Sequence, residues 1–167
     1  MSVTIPALTR RAIPAVFATT LAVNFVGAAA IPASAATTVP LRSLLRACDF
    51  SPLPGGAAQS RASASAVIRV SGGTVAADVQ ISEPGTPGAH FDVALIQMPH
   101  AATSPCNVPG PGVAVTGVNA DGVGQASPTV QDSLRSGTTG VWLFIQRPSP
   151  TSQSPAEYYT SDFIAPV

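Results

Sequence analysis

Residues 66–81 constrain the fold more than any other stretch of the chain. Ala66, Ile68 and Val70 alternate with Val67 and Arg69. Gly72-Gly73 follows, and then Val75, Ala77, Val79 and Ile81 alternate with Ala76, Asp78 and Gln80. A period of two sends successive side chains to opposite faces of a strand. A glycine pair between two such runs supplies the backbone freedom of a tight turn. These residues predict a β-hairpin with one buried and one wet face.

The downstream sequence continues in the same style. Pro84-Gly85-Thr86-Pro87-Gly88 ends the second strand, and residues 90–98 predict a third. Phe91, Val93 and Leu95 lie on one side of it, with His90, Asp92, Ala94 and Ile96 on the other. It is apolar on both sides near its end, which places it centrally. A proline-rich loop over residues 99–112 carries Cys106, and residues 113–119 predict a fourth strand. Asp121-Gly122 marks a turn, and residues 123–130 form a weaker fifth strand whose Pro128 suits a sheet edge. After a turn at residues 136–140, Val141-Trp142-Leu143-Phe144-Ile145 is continuously apolar and reads as a buried strand. Val141, Leu143 and Ile145 then face the core, and Trp142 and Phe144 point the other way. Residues 147–155 form a Ser/Pro loop, and residues 158–167 a last strand. About seven strands spaced by turn signals predict an all-β domain over residues 65–167, an immunoglobulin-like antiparallel β-sandwich.

The N-terminal third reads differently. Arg10 and Arg11 precede an apolar run over residues 12–31, and Ala33-Ser34-Ala35 offers the small-x-small pattern that a signal peptidase accepts. Residues 1–35 are therefore expected to form a signal helix, cleaved before Ala36. Pro14 and the many alanines make the run a poor permanent anchor, so no stable membrane anchor is expected after cleavage. Residues 36–64 form an N-terminal extension. In it Leu41, Leu44, Leu45 and Cys48 share one helical face and predict a short helix, followed by a Pro/Gly-rich link.

Two cysteines, Cys48 and Cys106, remain in the exported part. An even count in an oxidising compartment predicts one disulfide closing a loop of about 59 residues. Charged residues make up only 10% of the chain, against 46% hydrophobic ones, which excludes a disordered polyelectrolyte. Losing residues 1–35 removes Arg10 and Arg11 and leaves six arginines against eight carboxylates, a net charge near −2. That balance gives no footprint for nucleic acid.

The His90–Met98 strand, the Asn119-Ala120-Asp121-Gly122-Val123-Gly124 turn and the closing Tyr158-Tyr159-Thr160-Ser161 strand make the layout similar to a group of small exported proteins. These are β-sandwich proteins, largely of uncharacterised function, from Gram-positive bacteria with GC-rich genomes. The resemblance spans most of residues 65–167 and implies fold and compartment, not activity.

Candidate sites are few. Trp142, Phe144, Tyr158 and Tyr159 form a candidate binding face if the second face of their strands is left open. His90, Met98 and His100 carry the soft sulfur and imidazole donors that suit copper, but their spacing along a strand does not bring all three together, so no metal is expected. Asn119-x-Asp121-Gly122 resembles a calcium loop, yet its twelfth position falls on Pro128. His90 and Asp92 share a strand face as a catalytic pair would, without a nucleophile motif to serve. The expectation is an exported, non-enzymatic module with no cofactor. It would bind a protein or envelope component, or serve a structural role, at or outside the cell envelope. The alternatives are a secreted metal- or small-ligand-binding protein and, third, a secreted hydrolase.

Overall fold

The structure is a computed structural model that describes Met1 and residues 36–54 and 62–167. The segment read as a signal peptide, with Ala33 and Ala35, lies outside the described residues. The fold below belongs to the unit Ala33–Val167.

All regular structure among the described residues is β. The strands are β1 (Ala36–Arg42), β2 (Ser63–Ser71), β3 (Thr74–Ser82), β4 (His90–Met98), β5 (Val113–Asn119), β6 (Gln125–Ala126), β7 (Thr129–Ser133), β8 (Gly140–Arg147), β9 (Glu157–Ser161) and β10 (Ala165–Pro166). Every pairing is antiparallel. The path runs β5-β4-β8-β9-β1-β2-β3-β6, with β7 also on β3 and β10 on β8.

The hairpin β2–β3 follows the alternation. Val70 faces Val75, Ile68 faces Ala77 and Ala66 faces Val79. Gly72 (φ 58°) and Gly73 (φ 81°) both take the left-handed conformation of a two-residue turn, which a side chain would strain. On the wet face, Arg69 and Asp78 form a cross-strand ion pair.

The first strand departs from expectation. Ala36–Arg42 is not the start of a helix; it pairs with β2 from Ala36 to Leu41 and with β9 through Leu41 and Arg42. Three residues in a row, Thr37, Thr38 and Val39, are β-branched and favour a strand, and Pro40 disfavours a helix interior. Val39 and Leu41 alternate into the core, which is period two rather than the helical spacing of Leu41, Leu44 and Cys48. The predicted fifth strand is split by Pro128 into β6 and β7, and the predicted last strand is split into β9 and β10.

This short β1–β9 join makes one continuous sheet of two halves. Val39, Ile68, Val79 and Ile81 from one half pack in a single cluster with Phe91, Val93, Leu95, Val141, Leu143 and Ile145 from the other. Strands β5 and β7, from opposite ends of the path, come back into contact, so the sheet curls nearly into a barrel. Strand β8 lies between β4 on one side and β9 and β10 on the other, which explains its unbroken apolar run.

A strap crosses the outer face of β4 and β8. After β1 the chain turns at residues 45–53, held by Ala47 N–H to Ser51 O (2.8 Å) and Leu53 N–H to Leu45 O (2.9 Å). The Thr160 hydroxyl donates to Leu44 O (2.6 Å) and fastens the strap to β9. Cys48 bonds to Cys106, with Sγ atoms 2.01 Å apart and Cα atoms 5.6 Å apart, and so fixes the strap to the β4–β5 loop.

Candidate functional site

The aromatic face that would serve for binding if left open is closed. Trp142 is 0%, Phe144 9%, Tyr158 6% and Tyr159 1% exposed. Nor do the four share a face. Trp142, Phe144 and Tyr158 form an outer cluster with Ala94, Ile96, Cys106 and Val113, whereas Tyr159 belongs to the inner core. The Tyr159 hydroxyl accepts a hydrogen bond from Ala62 N–H (2.9 Å). The cover over the outer cluster is the strap: Leu45, Cys48 and Phe50 pack on it. Phe50 meets Trp142 edge to face, with ring centroids 5.4 Å apart, and Arg46 lies 3.9 Å from the Phe50 centroid on its way back to Phe50 O (3.1 Å). An aromatic surface so covered is a second small core, not a docking face.

The histidines do not converge either. His90 opens β4 and Met98 closes it, with His100 beyond a cis Met98–Pro99 peptide. His90 Nδ1 pairs with Asn119 Oδ1 (2.8 Å) and Nε2 with Asp92 Oδ1 (3.2 Å), so both ring nitrogens are engaged and neither faces a serine. Among the described residues no group of three His, Cys, Asp or Glu side chains could hold a metal ion. The Asp121 carboxylate is a turn brace: Oδ1 accepts from Gln125 N–H and Val123 N–H, both at 2.9 Å. Those bonds, Gln125 first, hold the Asp121 carboxyl below its ordinary range.

What the structure does present is a groove of about 370 Å³ at the end of β4, under the 99–112 loop. Its walls are Pro99, Pro105, Val108, Pro109 and Pro111, and its polar groups come from His100, Ser104 and Arg135. Four prolines and the Cys106 tether stiffen this loop, so the groove is preorganised.

Arg135 reaches the groove through a buried scaffold. Gln97 is fully buried and satisfies its whole amide. Its Nε2 donates to Asp132 Oδ2 (2.6 Å) and Ser133 O (2.9 Å). Its Oε1 accepts from Arg135 N–H (2.9 Å) and Thr138 Oγ1 (2.8 Å). This hub pins the β7–β8 turn to the end of β4. Arg135 Nη2 then donates to Gln97 O (3.1 Å) and Pro99 O (3.4 Å), which lays the guanidinium along the groove wall. Gly112, at φ 78°, makes room, since a Cβ there would run into the guanidinium. None of the ion pairs among the described residues uses Arg135. His100 Nδ1 pairs with Ala101 O (3.1 Å); a carbonyl only accepts, so Nδ1 carries the proton and Nε2 is left over. An apolar groove with one unpaired guanidinium at its wall suits a small ligand with an apolar body and an anionic end.

Sequence reasoning missed Arg135, Gln97 and Gly112, because their roles come from contacts between loops distant in sequence. The one local signal was the proline-rich loop itself. No family model, curated protein or solved structure matches the chain.

Proposed function

We propose that the chain is an exported, non-enzymatic binding domain whose ligand seats in the groove between the 99–112 loop and Arg135. The observation that carries this reading is the guanidinium held open over Gly112 by two backbone carbonyls and left without a carboxylate partner among the described residues. This favours small-ligand binding over a purely structural role. Among the described residues a metal-binding role has no assembled ligand set behind it, and the His90 ring nitrogens meet Asn119 and Asp92 rather than a serine.

Export is part of the same proposal. The Cys48–Cys106 bond points to an oxidising environment, and all ten described strands lie after Ala35. The immunoglobulin-like part of the reading is supported by two facing sheet halves whose strand pairing, among the described residues, passes from one to the other at β1 and β9. Protein recovered outside the cell is expected to begin at Ala36. N-terminal sequencing checks this, and a product retaining Met1 in the membrane would defeat it.

For the groove, the probes are hexanoate and phenylacetate, followed by amide chemical shifts. Perturbations are expected at residues 99–113 and 135. Arg135→Ala should weaken the effect by about 10–100-fold, the worth of a charge-assisted hydrogen bond, with the remaining spectrum unchanged. Shifts scattered elsewhere, or a variant that binds as well as the parent, would refute the assignment.

A further inference from the structure

Glu83 and Glu157 are the only glutamates in the chain, and both are buried: Glu83 is 0% and Glu157 2% exposed. Glu83 follows β3 in one half of the sheet, and Glu157 opens β9 in the other. The Glu83 carboxyl folds back over its own turn, where Oε1 lies 3.0 Å from the position a Cβ would take on Gly85. The turn at residues 121–125 closes over the Glu83 backbone. Glu83 N–H donates to Gly124 O (2.7 Å), and Gly124 lies so close to Glu83 O that it has no room for a side chain.

As carboxylates these groups are poorly served. Among the described residues neither Glu83 oxygen has a well-formed hydrogen bond, the Gly85 N–H of its own turn being the backbone donor that acts on it, and Glu157 Oε2 has none either. The charged groups acting on Glu83 are the Glu157 carboxylate and the Arg147 guanidinium. Arg147 is committed to the other partner, with Nη2 3.2 Å from Glu157 Oε1. Two ionised carboxylates and one guanidinium leave one uncompensated negative charge in a closed space, a costly arrangement. Two facing carboxylates offer only acceptors to each other. One proton changes both facts at once: the cluster becomes neutral, and the new O–H is the missing donor between the two carboxyls.

We propose that Glu83 and Glu157 hold one proton between them, forming a buried acid pair that clasps the exit of β3 to the β8–β9 ends and releases as pH rises. Burial first, and the facing Glu157 second, push the Glu83 carboxyl above its ordinary range, in agreement with this geometry. The direction of the effect follows from linkage. Between the ordinary glutamate value and the raised one, the folded chain keeps a proton that the unfolded chain gives up. The clasp therefore contributes fully below that window and is lost as pH rises through it. Asp49 and Asp121 are shifted the other way, below the ordinary range, so they titrate in a separate, more acidic window. A cation in place of the proton is the competing arrangement; the pair offers two carboxylates, one already claimed by Arg147.

Selective 13C labelling of glutamate Cδ gives two side-chain resonances from this chain, one for each member of the pair. In the full chain the Glu83 resonance is expected to titrate in a step above the ordinary glutamate value of about 4.3, and the Glu157 resonance to move in that same step as its neighbour loses the proton. The melting temperature should fall as pH rises through that step, and Glu83→Gln, which supplies a permanent donor, should remove that fall. Both resonances titrating in the ordinary range would overturn the proposal, as would a Glu83→Gln variant with the parent's pH slope. A shift of both resonances on adding millimolar Ca2+ at neutral pH would overturn it in favour of a cation site. The titration needs no variant, so it decides the matter even if Glu83→Gln fails to fold.

Discussion

Replacing Trp142 with alanine is expected to destabilise the domain by about 3–5 kcal/mol, as much as truncating Leu143 on the opposite face of the same strand. Leu143 sits in the inner core with Val141 and Ile145, where removing a buried aliphatic side chain costs about 2–5 kcal/mol. Had the outer face been open, Trp142 would have cost little. Instead it is wholly enclosed, with Phe50 against its edge and Ile96 opposite it in register. One feature moderates the loss. Trp142 Nε1 has no acceptor among the described residues, and an unsatisfied buried donor costs about 1–3 kcal/mol. Trp142→Phe discards that donor while keeping most of the packing, so its loss should be much smaller than that of Trp142→Ala. Urea melts of the three variants check this. A midpoint for Trp142→Ala close to the parent's, with an unchanged m-value, would mean that the strap does not cover the residue in solution.

The contrast between Leu143 and Trp142 shows what was legible in the sequence. Alternation assigns a residue to a face of a strand, and it did so correctly for the β2–β3 hairpin, for His90–Met98 and for the Val141, Leu143, Ile145 set. It says nothing about what covers a face. The outer side of β8 is closed by residues 45–53, nearly a hundred positions upstream, and their Leu and Cys spacing looked helical because period three to four and irregular packing overlap in so short a run. The disulfide was readable because two cysteines leave one pairing. The groove and the acid pair were not readable. Arg135 matters because Gly112 vacates the space beside it and Pro99 turns a carbonyl toward it. Glu83 and Glu157 have ordinary neighbours in sequence and acquire their character only when the two sheet halves bring them together.

Replacing both Cys48 and Cys106 with alanine is expected to lower stability by about 2–4 kcal/mol and to free the strap before the rest of the domain unfolds. The bond spans 58 positions, and by the chain-entropy account a loop of that length contributes ~4 kcal/mol, from which native strain is subtracted. The local consequence follows from how little else holds the strap. Three backbone bonds close it on itself, the Thr160 hydroxyl ties down its start, and its outward grip is Leu45 on the outer cluster and Phe50 on Trp142 with Arg46 stacked above. Segments with few buried contacts open at lower free energy than the sheet beneath them. Trp142 is the chain's one tryptophan, so its emission reports the strap directly. In the double variant the emission should shift to the red, and acrylamide should reach the indole, below the denaturant concentration at which the sheet melts. In the parent the two transitions should coincide. Intact mass after alkylation, with and without reduction, establishes the bond itself, since two thiols should react only once it is reduced. Coincident transitions in the double variant, with a loss under ~1 kcal/mol, would show that packing alone holds the strap in place and that the disulfide adds little to it.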